Sequence, residues 1–113
     1  MQPVFLPNPD RAIIPFEKLE GYSLNPNHSE GQHKAIVFRS ALGIGLDEAQ
    51  ELRMALTQAL LTQEAIPLDR NAYGQKYGID FEMQRGEQQA MIRSVWIVRD
   101  NEDFPRLVTC YIP

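Results

Sequence analysis

At 113 residues and 12.9 kDa the chain has room for one domain, 1–113, around one hydrophobic core. Apolar residues at 43% and charged residues at 23% are ordinary globular usage and exclude a disordered chain. A net charge of −4 and a pI near 5.1 exclude a broadly basic nucleic-acid binder, though not a local basic site. No window approaches the ~18 apolar residues that span a bilayer. The start MQPVFLPNPD has neither the basic residues nor the apolar run of a signal peptide. Cys110 is the one cysteine, so no intrachain disulfide can form and a cytoplasmic location is expected.

In chain order, Pro3, Pro7, Pro9 and Pro15 remove amide donors and fix φ, which predicts an extended N-terminal arm. Ala12 to Ile14 fits a short edge strand. Pro15 suits the first position of a one-turn helix through Phe16 to Glu20, stopped by Gly21. Ser29 with Gln32 has capping-box spacing and opens a helix to about Leu42. Its apolar stripe is Ala35, Phe38, Ala41 and Leu42, and Gly43 stands at the expected left-handed stop. Asp47 with Gln50 starts a second helix to about Thr62, with Ala49, Leu52, Leu56, Ala59 and Leu60 at three- and four-residue intervals. The short Gly-Ile-Gly link makes the pair an αα-hairpin.

The period then drops to two. Tyr73, Gln75, Tyr77, Ile79, Phe81 and Met83 alternate with Gly74, Lys76, Gly78, Asp80 and Glu82, the pattern of a half-buried strand. Arg85, Gly86 and Glu87 mark a hairpin turn. Ala90 to Val98 is apolar on both faces, which predicts a central strand covered on both sides, and Leu107 to Ile112 follows a loop around Asp100 to Pro105. Helices first and antiparallel strands after predict an α+β fold: an N-terminal arm and αα-hairpin packed on one face of an antiparallel β-meander of three to four strands.

The densest chemical region is NPNHSEGQHKAIVF, residues 25–38. His33 and Lys34 fall in the first helical turn, where a cation faces the positive end of the helix dipole at a cost of about 0.3–1 kcal/mol. That electrostatic conflict marks the pair as candidates: His33 as a neutral general base, Lys34 as counter-charge to a phosphate on the free helix-start amides. The bland alternative is a solvated surface pair with His28 capping or filling a turn. Arg93 shares a strand face with Met91, Val95 and Ile97, so it either snorkels or meets Asp80 or Glu82. Thr109 on the last strand is a possible phosphate ligand. Trp96, Tyr73 and Tyr77 read as core, and Cys110 as a small buried hydrophobe. His28 and His33, five apart across a helix start, do not converge on a metal. Gly43-Ile44-Gly45 lacks the third glycine and preceding strand of a dinucleotide loop. Neither a metal nor a cofactor is expected.

The segments LNPNHSEGQHKAIVFRSALG, YGQKYGIDFE, IRSVWIV and FPRLVTCYI together resemble a small bacterial family of uncharacterised proteins, a domain of unknown function, over Pro7 to Ile112. That family usually carries proline where this chain has Ser29. More loosely, an HKA helix start followed by a second helix and an antiparallel sheet is similar to toxin nucleases of the barnase, EndoU and RelE-like type. This likeness implies metal-independent RNA cleavage, with His33 as base, Lys34 and Arg93 stabilising the phosphorane, and Thr109 hydrogen-bonding a phosphate oxygen. RNA is then the partner. The alternative expectation is a non-catalytic interaction module whose partner is a small protein, docked on the odd face of the last strands or on a free strand edge.

Overall fold

The alternation around Tyr73 to Met83 becomes one arm of a long hairpin in the computed structural model, which describes residues 3–113. Met1 and Gln2, which precede the expected arm, lie outside the described residues. Strand β1 is Ile66–Arg70, β2 Gly74–Arg85, β3 Gln88–Arg99 and β4 Pro105–Tyr111, forming one antiparallel sheet in the order β1-β2-β3-β4. β2 and β3 stay in register from Gly74 opposite Arg99 to Arg85 opposite Gln88. Gly86 in their turn has φ 58, a left-handed value that glycine adopts without steric cost. Helix α1 is Gly31–Leu42 and α2 is Ala49–Thr62; α1 lies on β3 and α2 on β2.

One face of the sheet supplies Ile79, Phe81, Ile92, Trp96, Leu107 and Cys110 to a core completed by Phe38 and Leu42 of α1 and Leu52, Leu56 and Leu60 of α2. The helical stripes read from the sequence therefore meet the even residues of β3 and the odd residues of β2. Polar groups trapped there are matched. The Ser94 hydroxyl donates to the Ile79 carbonyl at 2.8 Å and accepts from Trp96 Nε1 at 2.9 Å. The architecture is α+β, as the order of the two periods predicts.

Several local expectations are corrected. Ala12–Ile14 is not a strand: Ile13 alone bridges Arg106 beyond β4, in parallel orientation, with its carbonyl accepting from Leu107 N at 2.9 Å. The expected helix at Phe16–Glu20 is a 3₁₀ turn, Phe16–Lys18, running into a wide π turn, Leu19–Ser23, so Gly21 does not stop it. The five-residue spacing lets Leu19 and Leu24 both reach the core, and burial outweighs regular helix geometry. Neither expected capping pair forms. Gln32 Nε2 donates to the Ser29 carbonyl instead, and in the box before α2 Gly45 N donates to Glu48 Oε1 at 2.8 Å, two positions earlier than Asp47 and Gln50. β1 has no sequence signature because its five residues are all exposed and include Pro67. β3 is not covered on both faces: Met91 and Arg93 are exposed and Val95 is half-buried, since no helix lies on that side. Tyr73 is 71% exposed, ahead of β2 rather than in the core, whereas Tyr77 packs against it.

Candidate functional site

The edge of β4 carries the most reactive grouping. A bulge sets Thr109 opposite Val95 and Leu107 opposite Trp96, leaving Val108 as the extra residue. Bulges re-aim side chains, and here Val108 and Thr109 both line a cleft of about 460 Å³. Its opposite wall is the turn holding Glu17, Lys18, Gly21 and Tyr22, and its end is closed by His28 and Lys34. The turn is pinned to β4 by the buried Ser23 hydroxyl, which donates to the Cys110 carbonyl at 2.8 Å. Gly31 lets α1 abut the same turn: a methyl there would stand 2.7 Å from the Tyr22 carbonyl carbon and collide with its oxygen.

His28 is the helix cap. Its Nδ1 accepts from the amides of Glu30 and Gly31, both at 3.0 Å, while its carbonyl accepts from Gln32 N at 3.0 Å. The helix-start amides expected to hold a phosphate are therefore already occupied. A ring nitrogen that accepts has no hydrogen, so the proton of the neutral imidazole sits on Nε2, a donor. The ring meets Tyr22 edge-on, centroids 4.8 Å apart.

Lys34 extends from the first turn of α1 to donate to the Tyr22 hydroxyl at 3.0 Å. Its ammonium stands 4.7 Å from the Tyr22 ring centroid and 5.7 Å from that of Tyr111. Ring quadrupoles and the phenol oxygen offset the dipole conflict seen in the sequence. They supply no counter-charge. Of the chain's eleven Lys and Arg residues, seven make ion pairs with Asp or Glu among the described residues. Two of the other four, Lys18 and Lys34, line this one cleft; Arg39 and Arg99 are exposed elsewhere. Thr109 Oγ1 is buried with no hydrogen-bond partner among the described residues. A buried polar atom without a partner costs about 1–3 kcal/mol, and Thr109 lines the same cleft as Lys34, whose ammonium has no carboxylate partner among the described residues.

Of the four residues singled out in the sequence, Lys34 and Thr109 come together and the other two do not. His33 is exposed and outside the cleft lining, because adjacent helical residues point about 100° apart. Arg93 lies past Tyr111, its cross-strand partner, and is clamped by Asp80 through two bonds of 2.9 and 3.0 Å. Asp80 first, then the Tyr111 hydroxyl, raises the guanidinium above its usual range. The Arg93–Asp80 pair is the acidic partnership its strand position suggests. Cys110 is buried as expected, and desolvation pushes its thiol up to about 12, far from a reactive thiolate.

Sequence reading missed Tyr22, Tyr111 and the inward role of Lys18. Tyr22 sits in a turn with no periodicity, and Tyr111 gains meaning only from the β3–β4 register. For His28 the capping alternative is the correct one, and its signal was the three-residue spacing to Gly31.

Fold and cleft together define a small α+β domain with a cationic cleft along its last strand. The chain belongs to the family described as a domain of unknown function (DUF6883), whose model matches residues 5–113. No curated protein and no solved structure matches the chain significantly. No helix among the described residues is long and apolar enough to cross a membrane.

Proposed function

We propose that the β4 cleft binds a phosphodiester and that the domain is a metal-independent, RNase-like enzyme acting on RNA. The observation that carries this reading is one cleft lined both by Lys34, without a carboxylate partner among the described residues, and by Thr109, whose hydroxyl has no hydrogen-bond partner among them. The order of helices and sheet, similar to that of the barnase, EndoU and RelE-like nucleases, supports it by analogy. The acidic pI is not an obstacle when unpaired cations gather in one cleft, since a local field governs local affinity.

In this reading Lys34 and Thr109 bind the non-bridging phosphate oxygens, and Lys18 adds charge at the mouth. His28 donates through Nε2–H. A base takes the proton of the ribose 2′-hydroxyl, the 2′-oxygen bonds to phosphorus, and the bond from phosphorus to the 5′-oxygen breaks. That leaving oxygen takes a proton from water, and the products are a 2′,3′-cyclic phosphate and a 5′-hydroxyl. Charge on the five-coordinate phosphorus is greatest at the transition state, where fixed donors help most. Glu17 is the carboxylate lining the cleft and takes the role of base first given to His33.

The test is cleavage of a mixed-sequence RNA in EDTA. Wild type is expected to cut it, Lys34→Gln to be slower by about 100-fold, Glu17→Gln to be similarly impaired, and His33→Ala to match wild type. No cleavage by wild type, or equal rates for wild type and Lys34→Gln, overturns the reading. A loss in His33→Ala with Glu17→Gln unaffected returns the base to His33.

A further inference from the structure

We propose that the groove on the far side of Tyr111 is a nucleobase subsite, so that the ligand is a single RNA strand of at least two nucleotides crossing the end of β4. The proposal rests on the phosphodiester reading of the cleft and names what lies next to the phosphate. Tyr111 divides two spaces of different chemistry. On one side is the ammonium of Lys34, 5.7 Å from the ring centroid. On the other is a groove of about 600 Å³ lined by Glu64, Ile66, Leu68, Val95, Asp80 and Arg93.

The two sides differ in charge. Lys34 has no carboxylate partner among the described residues, whereas Arg93 is neutralised by Asp80 through a fork of two hydrogen bonds. A neutralised pair is a poor phosphate site. It still offers the outer guanidinium hydrogens as donors and carboxylate lone pairs as acceptors, the mixed edge that a base presents in return. Beside it lies uncovered apolar surface: Ile66 is 54% and Leu68 43% exposed. Gly78 keeps this floor low, with Leu68 lying over its bare backbone, 3.5 Å from where a methyl would stand. With an apolar floor edged by donors and acceptors, the Glu64 carboxylate among them, the groove suits an aromatic heterocycle. Tyr111 at its end is the ring on which such a base stacks.

The test compares affinities for uridine 3′-monophosphate and for a UpU dinucleotide whose 5′ uridine is 2′-deoxy and so cannot be cleaved. Calorimetry on wild type is expected to show the dinucleotide bound about tenfold more tightly. In Leu68→Glu, an exposed change that spares the core, the ratio falls to near one. A wild-type ratio near one, or an unchanged ratio in Leu68→Glu, overturns the subsite while leaving the phosphate cleft intact. No binding of either ligand by wild type removes both readings. A dimer in sedimentation that Leu68→Glu dissolves assigns the groove to a second copy of this chain and overturns the subsite.

Discussion

The inner face of the sheet and the edge of β4 handle the same problem in opposite ways. Inside, the Ser94 hydroxyl is bonded on both sides, to Ile79 and Trp96, and the Ser23 hydroxyl is bonded to Cys110. At the edge, the Thr109 hydroxyl is buried and without a partner among the described residues, and Lys34 has aromatic rings where seven other cations have carboxylates. The polar groups that hold the fold together are matched, while those along the β4 cleft, a few residues away, are not.

Gly31 is where the cleft and the fold depend on each other most. A methyl there meets the Tyr22 backbone, which has no flexible end to move aside. Gly31→Ala is expected to cost about 3 kcal/mol in urea unfolding and to abolish the cleft's ligand binding, because turn and helix must separate. Ser94→Ala comes next. It orphans Trp96 Nε1 and the Ile79 carbonyl, so unfolding should show a loss of about 2 kcal/mol while phosphate affinity stays unchanged.

Thr109→Val removes the same kind of hydroxyl with the opposite expectation. No internal bond is lost, so stability should stay within about 0.5 kcal/mol of wild type, while affinity for a nucleotide phosphate falls by about tenfold. A stability loss as large as that of Ser94→Ala would mean that Thr109 is structural after all.

The smallest effect is electrostatic. Arg53 hydrogen-bonds Glu20 at 2.9 and 3.1 Å and holds its carboxyl below the usual range, against an opposing effect of burial. A carboxyl whose folded pKa lies below its unfolded value of about 4.3 adds stability that is present above that pH. That stability is lost as pH falls through the folded value. The contribution is under about 1 kcal/mol. Unfolding free energies from pH 6 to pH 2 should therefore decline less steeply in Glu20→Gln than in wild type; identical slopes would show that the pair does not matter.

Much of the fold was legible because it is written in periods. The three- and four-residue spacing of Ala49 to Leu60 and the alternation from Tyr77 to Met83 each place apolar groups on one side of a regular element, and burial follows directly. β1 was illegible because an exposed edge strand with Pro67 has no apolar face to announce it. The turn at Leu19–Ser23 was misread because its wide geometry answers to the core above it, not to local propensity.

Residue order alone specifies an α+β domain with helices ahead of an antiparallel sheet, an interior Trp96 and Cys110, and a Lys34 in an electrostatically awkward place. Three-dimensional packing brings Lys34 and Thr109 to one cleft, makes His28 rather than Ser29 the helix cap, and sets His33 and Arg93 apart from the cleft. Amphipathic patterns follow from neighbours three, four or two residues away, which a chain carries in its own order. A cleft joins residues dozens of positions apart, and their distance is set by a bulge, a glycine contact and a wide turn that no local pattern encodes.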